Sequence, residues 1–271
     1  MRETDQALSD GELHRIDVGG GDVLFFVHGF SCCADDWAPQ LAFFSRRRRC
    51  IAVDLPAHGR SPKNARPTIE SVAASIVREM ERLSLGPVIL FGHSLGSRVI
   101  GEIYRQAPHR IRALVYVDGS ILQADPASAA RRFGAHMEQV GFGAILDALY
   151  DDFFVASSPA DVRAAIVGRR GGFDAAFHPP LLVDMVGWDA ARGADVIRGI
   201  DVPCLVIQSS AVDANMKRIA IEPGIETPLM ALIRQSVPNA RIEIVRGVGH
   251  FPMLEAPART NEIIEDFLAG I

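Results

Sequence analysis

The sequence predicts an α/β fold: a mostly parallel central sheet flanked by helices, with a block of helices inserted before the penultimate strands. Three observations carry this. Short runs rich in Val, Ile and Leu alternate with amphipathic stretches, as expected of strands covered on both faces. A glycine-flanked turn at residues 92–96 joins one such run to one such stretch. Residues 120–200 hold no strand-like run, only helix-like pieces rich in large apolar side chains.

Along the chain, residues 22–27 (D-V-L-F-F-V) read as the first buried strand, 50–54 (C-I-A-V-D) as the second and 87–91 (P-V-I-L-F) as the third. Residues 112–117 and 202–207 follow, and 241–245 is the last. Between them, Ile69, Val72, Ala73, Ile76, Val77, Met80 and Leu83 fall on one helical face. Thr68 is placed to cap that helix, and Gly86-Pro87 stops it. Beyond Ser94, the residues Val99, Ile100, Ile103 and Tyr104 form a second stripe, closed by Pro108. A final helix near 257–268 turns Ile263, Ile264 and Phe267 inward. A parallel crossover needs only about a dozen residues. The block at 120–200 therefore reads as a helical cap on a core made of 1–119 and 201–271, not as an independent domain.

Composition narrows the function classes. With 271 residues, 48% of them hydrophobic and 23% charged, disordered and fibrous classes are excluded. A net charge of −5 gives no reason to expect nucleic acid. The four arginines at 46–49 lack interleaved aromatics and read as a solvated turn. Arg131, Arg132, Arg163, Arg169 and Arg170 read as a solvated face of the inserted helices. Residues 1–18 are polar, with no apolar signal core, and no run reaches the ~20 apolar residues of a spanning helix. The four cysteines include the adjacent pair Cys32-Cys33 and show no zinc-ligand spacing. The expectation is a cytoplasmic monomer or homodimer acting on a small molecule, with no metal, cofactor, membrane or nucleic-acid partner.

The chemistry concentrates at Gly92-His93-Ser94-Leu95-Gly96, between a strand and a helix. This is the G-x-S-x-G nucleophile elbow in its required context. The turn lifts the Ser94 hydroxyl above the sheet and leaves the Leu95 N–H at a helix start, where amides are unpaired. A serine hydroxyl needs an adjacent base, and His250, in Gly247-Val248-Gly249-His250-Phe251-Pro252 after the last strand, is the candidate. A second oxyanion donor is the Phe30 amide, in His28-Gly29-Phe30-Ser31 after the first long strand. His28, Gly29, His93 and Trp188 are the candidate substrate contacts. His28 also reads as a hydrogen-bonded loop anchor, and His58 as part of a structured loop. Cys32 and Cys33, just beyond Ser31, read first as small buried residues, with alkylation-sensitive thiols near the pocket as the alternative.

With H-G-F, D-L-P-A-H-G-R-S, G-H-S-L-G and G-V-G-H-F-P in order from Val23 to Ile271, the chain resembles the α/β-hydrolase fold superfamily, in its serine hydrolase form with a helical cap. The resemblance implies a nucleophile at Ser94, a base at His250, oxyanion amides at Phe30 and Leu95, and an acid between Ser94 and His250. The usual place for that acid is the turn after 202–207. Here that turn reads Q-S-S-A-V-D, without glycine and with Asp213 one residue late. A second placement is the end of the preceding strand, where Val117-Asp118-Gly119 stands. Asp118 and Asp213 are equal candidates, ahead of Asp184, Asp195 and Asp201.

The expected activity is hydrolysis of an ester-like bond in a small, largely apolar substrate through an acyl-enzyme. Carbon–carbon, lactone and amide hydrolysis, acyl transfer and cofactor-free oxygenation use related constellations. A ligand receptor retaining the same residues is the reading from another class. Serine at the elbow argues against dehalogenase- or epoxide-hydrolase-like chemistry, which the resemblance would tie to an aspartate there.

Overall fold

The middle strand of the sheet is a run of six buried residues, Val88–His93, and the rest of the molecule is laid out around it. The computed structural model describes residues 11–63, 65–213 and 217–271. Residues 1–10 of the polar leading stretch lie outside the described residues. Seven strands form the sheet: β1 (Arg15–Val18), β2 (Val23–Val27), β3 (Arg49–Val53), β4 (Val88–His93), β5 (Ile111–Val117), β6 (Cys204–Gln208) and β9 (Arg241–Ile244). Their order is β1-β3-β2-β4-β5-β6-β9, and β1 alone among them runs antiparallel to its neighbour. A separate antiparallel hairpin, β7 (Ser210–Val212) with β8 (Arg218–Ala220), follows β6 directly.

The six expected strands are present, shifted at their ends by one or two residues. Sequence reading missed β1, β7 and β8. β1 is an edge strand of four half-buried residues, R-I-D-V, in which charge alternates with apolar side chains. β7 and β8 are three residues each, too short for periodicity to register.

Helices flank the sheet. α1 (Ala38–Phe44) and α11 (Pro257–Leu268) pack on each other and against β3 and β6, respectively. α2 (Ile69–Arg82) lies beside α3 (Leu95–Gln106), which crosses β2, β4 and β5. In α2 Ile69, Val72, Ala73, Ile76 and Met80 of the apolar stripe are buried, with Val77 and the C-cap Leu83 partly so, and the Thr68 hydroxyl accepts from the Ser71 N–H at 3.1 Å. Under the sheet the Phe26 ring stacks on Phe91 at 4.6 Å and lies 5.0 Å from Trp37. Each such aromatic pair adds about 0.5–1.5 kcal/mol beyond area burial.

Between β5 and β6 the chain is helical: α4 (Ala129–Val140), α5 (Phe142–Asp152), α6 (Ala160–Val167), α7 (His178–Trp188) and α8 (Ala194–Arg198). A π-helical turn, Asp189–Gly193, joins the last two. Arg98 of α3 holds both ends of this segment. Its guanidinium bonds the Asp189 carboxylate at 2.7 and 3.1 Å and the Ser120 hydroxyl at 3.0 Å, while Asp189 also accepts from the Leu122 N–H. The remaining helices are α9 (Pro228–Ser236) and α10 (Pro252–Glu255). Among the described residues, no helix is long and apolar enough to cross a membrane.

The register sets where side chains emerge. Val27 pairs with Gly92, His93 with Val117, and Val117 with Ile207, so β2, β4, β5 and β6 end at one level. The residues just past those ends share one rim, the carboxyl edge where parallel sheets place their ligands.

Candidate active site

Ser94 stands between β4 and α3 with φ 53° and ψ −113°, a left-handed backbone that a non-glycine residue adopts at a cost of about 1–3 kcal/mol. The surroundings hold it there: its N–H donates to the Val117 carbonyl at 3.2 Å, and its own carbonyl accepts from the Ser97 N–H and from Arg98. The flanking glycines are dictated by closeness. A Cβ at Gly92 would lie 2.4 Å from the Gly96 carbonyl oxygen, and one at Gly96 would lie 2.4 Å from that of Val27. Gly96→Ala is expected to cost about 1–3 kcal/mol by overpacking. In a thermal melt followed by circular dichroism this should appear as a midpoint several degrees lower; an unchanged midpoint would show that the turn yields.

Asp118 and His250 arrive from two other strand ends. Asp118, the residue after β5, has φ 41° and is 1% exposed. Its Oδ1 accepts from the backbone amides of Ser209 and Ser210 at 2.9 and 2.8 Å, from the Ser209 hydroxyl at 3.0 Å and from Gln208 Nε2 at 3.1 Å. Its Oδ2 accepts from His250 Nδ1 at 2.6 Å and from the Ser210 hydroxyl at 2.5 Å. The other imidazole nitrogen, Nε2, is 2.8 Å from Ser94 Oγ. With Nδ1–H committed to a carboxylate, Nε2 carries the lone pair and faces the serine hydroxyl.

The His250 loop is fastened on several sides. Its N–H donates to the Phe153 carbonyl at 3.0 Å, and His93 Nε2 donates to its carbonyl at 2.7 Å. The Phe153 ring lies 5.2 Å from the imidazole at an interplanar angle of 21°. Glu255 accepts from the amides of Gly249 and Phe251 at 2.9 and 3.0 Å. Burial pushes the His250 pKa below the ordinary 6.5, the Arg218 cation pushes it further, and the Asp118 carboxylate opposes both. Burial works to raise the Asp118 pKa, but the bond and charge of His250, with Arg218 and Ser210, outweigh it and hold the carboxyl below its ordinary range. At neutral pH the imidazole is a free base beside an ionised carboxylate.

The two amides expected as oxyanion donors flank Ser94 in the fold. Leu95 is the first residue of α3, where helix amides lack intrahelical acceptors. Gly29, two residues past the end of β2, packs so closely on the elbow that a Cβ there would lie 2.8 Å from His93 Nδ1 and 3.0 Å from the Ser94 Cβ, and Phe30 follows it.

The remaining candidates are placed elsewhere. Asp213 closes the β7–β8 turn: its carboxylate accepts from the Lys217 N–H at 2.9 Å, and its own N–H donates to the Lys217 carbonyl at 2.8 Å. The structure thus gathers Asp118, not Asp213, with His250. His28 is fully buried. It donates from Nδ1 to the Gly29 carbonyl and accepts at Nε2 from the Leu55 N–H, so it ties two loops together as a hydrogen-bonded anchor. His93 is likewise fully buried behind His250. Trp188 donates to Glu102 of α3 at 3.0 Å and packs near Gly101, well down the helix from Ser94. Both histidines and the indole are thus engaged in internal bonds, through both ring nitrogens in His28 and through Nε2 in His93.

Other charges are absorbed too. Arg169 bonds both oxygens of the buried Asp36 at 2.6 Å. Within the arginine run, Arg47, Arg48 and Arg49 pair with Glu265, Asp22 and Asp17. Burial pushes the Cys32 thiol well above its ordinary range and the Cys33 thiol to about 12, so neither carries thiolate at neutral pH. Beside the Phe30 loop lies a cavity of about 390 Å³, lined by Ser31, Cys32, His58, Arg169, Phe173 and His178. Phe30 stacks on Phe173 at 5.5 Å, and the Ser31 hydroxyl bonds Tyr150 of α5.

Sequence reading missed Ser209, Ser210, Arg218, Phe153 and Glu255. The Ser209-Ser210 pair was on view within Q-S-S-A-V-D, directly after a strand; the other three belong to the site only through long-range contacts.

Comparison with known proteins agrees with this architecture. The family model described as the alpha/beta hydrolase family matches residues 24–263. The chain is 33% identical to Protein PHYLLO, chloroplastic, of Arabidopsis thaliana over 134 residues, which is 44% of this chain and only 8% of that protein. It is 25% identical over 263 residues to the pimeloyl-[acyl-carrier protein] methyl ester esterase of Methylococcus capsulatus, covering 93% of this chain and 96% of the relative. A solved thermophilic esterase from Thermogutta terrifontis superposes with a TM-score of 0.75 at 23% identity, over 95% of this chain and 93% of the other.

Proposed function

Because the chain belongs to the alpha/beta hydrolase family, we propose that it is a serine hydrolase cleaving an ester-like bond in a small, largely apolar substrate. The observation that carries this reading is the unbroken line from Ser94 Oγ through His250 to Asp118, at 2.8 and 2.6 Å. The substrate carbonyl sits against Ser94. His250 Nε2 takes the hydroxyl proton as Oγ attacks, and Asp118 stays ionised, holding the tautomer and stabilising the imidazolium. The Phe30 and Leu95 amides bear the charge of the tetrahedral oxygen, each contributing about 3–4 kcal/mol to barrier lowering.

The imidazolium then protonates the leaving alkoxide, and an acyl group remains on Ser94. Water, deprotonated by the same nitrogen, attacks the acyl carbon; the acyl–Oγ bond breaks as the imidazolium returns the proton to Ser94 Oγ, and the carboxylic acid leaves. No cofactor enters, since one imidazole carries every proton. The helical segment between β5 and β6 acts as a cap, with Phe153 and Tyr150 of α5 and its C-terminal end meeting His250 and the Phe30 loop.

The test is covalent trapping. An aryl alkylphosphonate should add one phosphonyl group to the peptide carrying Ser94, with loss of p-nitrophenyl ester hydrolysis in step. Labelling elsewhere with Ser94 unmodified sinks the proposal. Assaying the parent chain against esters, lactones, amides and vinylogous diketones separates the ester reading from the others on the same residues.

A further inference from the structure

We propose that Arg218 is a positioning residue of this site: from the β7–β8 hairpin it braces the Ser210–Asp118 pair and ties it through Asp152 to the end of α5. The charge facing His250 is then set jointly by the hairpin and the helical segment. The proposal rests on reading Ser94 and His250 as nucleophile and base.

The geometry is a relay of named atoms. Arg218 Nη1 donates to Ser210 Oγ at 2.7 Å, and that hydroxyl donates to Asp118 Oδ2 at 2.5 Å. The same Nη1 is 3.5 Å from Asp118 Oδ2. On its other side, the Arg218 N–H donates to Asp152 Oδ1 at 2.6 Å, and its Nε lies 3.4 Å from Asp152 Oδ2. Asp152 is the last residue of α5, and the next residue, Phe153, stacks on His250 and accepts its N–H. One arginine thus touches the carboxylate that orients the imidazole and the helix end that covers it.

An ordinary surface ion pair does not fit this placement. The Arg218 side chain is only 16% exposed, and Asp118 is fully buried. A cation so close to the imidazole opposes its protonation; Asp152 favours it. The groups facing His250 are His93 from β4, Ser94 from the elbow, Asp118 from the end of β5, Asp152 from α5, Arg218 from β8 and Glu255 from α10. Of these, Arg218 and Asp152 can be altered without touching the reacting atoms.

The signs follow. His250 acts as a base only when neutral, so activity falls as pH drops through its pKa. Arg218→Gln should move the acid limb of kcat/KM, and the His250 titration followed by NMR, to higher pH by about one unit. Asp152→Asn should move both to lower pH, and Arg218→Lys should stay near the parent chain. Opposite shifts support the proposal; a purely structural role lowers activity without them. It is overturned by limbs that do not move in either variant, or by both moving the same way. If Arg218→Gln fails to fold, an Asp152→Asn limb that does not fall is enough to overturn it. The NMR titration does not depend on turnover. Failure of the serine reading would appear separately, as activity that survives loss of the Ser94 hydroxyl.

Discussion

Ser94→Ala is expected to lower kcat for a p-nitrophenyl ester by at least about 10⁴-fold while leaving the fold intact. The size follows from what disappears. In the proposed mechanism, loss of Oγ removes the acyl-enzyme, and His250 Nε2, 2.8 Å away, has no hydroxyl proton to take. What survives is the pair of amides at Phe30 and Leu95, which can still favour a tetrahedral oxygen formed by water. The fold should hold because the hydroxyl's bond is to the His250 ring alone among the described residues, and alanine meets the same φ of 53° that serine already bears. The change in stability should lie within about 1 kcal/mol. Turnover by purified enzyme and a thermal melt of the same sample check both halves. Activity within tenfold of the parent chain, with an unaltered melt, would remove serine from the mechanism.

How much of this was legible in the sequence depends on how local each constraint is. The elbow occupies five consecutive residues, and the closeness that excludes a Cβ at Gly92 and Gly96 writes itself into the chain as glycine. His250 was legible for a similar reason, since it follows the last strand and the register brings strand ends to one rim. The acid was not. Asp118 and Asp213 both follow strands, and what separates them is a cradle of donors from Gln208, Ser209 and Ser210, about ninety residues away from Asp118 in the chain. Arg218, Phe153 and Glu255 are ordinary residues until folding brings them against one loop. The internal partners of His28, His93 and Trp188 were not legible either, because residue type shows what a side chain can bond, not which partner takes it first.

Asp118→Asn is expected to be nearly as damaging as loss of the serine, lowering kcat by about 10⁴-fold, and the donor cradle explains why so small a change does so much. Asp118 Oδ1 faces four donors: two backbone amides, the Ser209 hydroxyl and the Gln208 amide. An asparagine cannot turn its NH₂ toward that cradle, so its oxygen must occupy the Oδ1 place and its NH₂ the Oδ2 place. There the NH₂ meets His250 Nδ1, which can pair with it only as an acceptor. The imidazole proton then sits on Nε2, aimed at Ser94, and the base has no lone pair to offer. The carboxylate charge that would stabilise the imidazolium is lost as well, while the Arg218 cation remains and further opposes protonation. Asp213→Asn, by contrast, alters a hairpin turn and should leave kcat within about twofold. The two variants assayed on one ester, with the His250 tautomer read from its ring nitrogens by NMR, decide the matter. Full turnover in Asp118→Asn, or a greater loss in Asp213→Asn, would show that the carboxylate bonded to His250 is not the group that orients it.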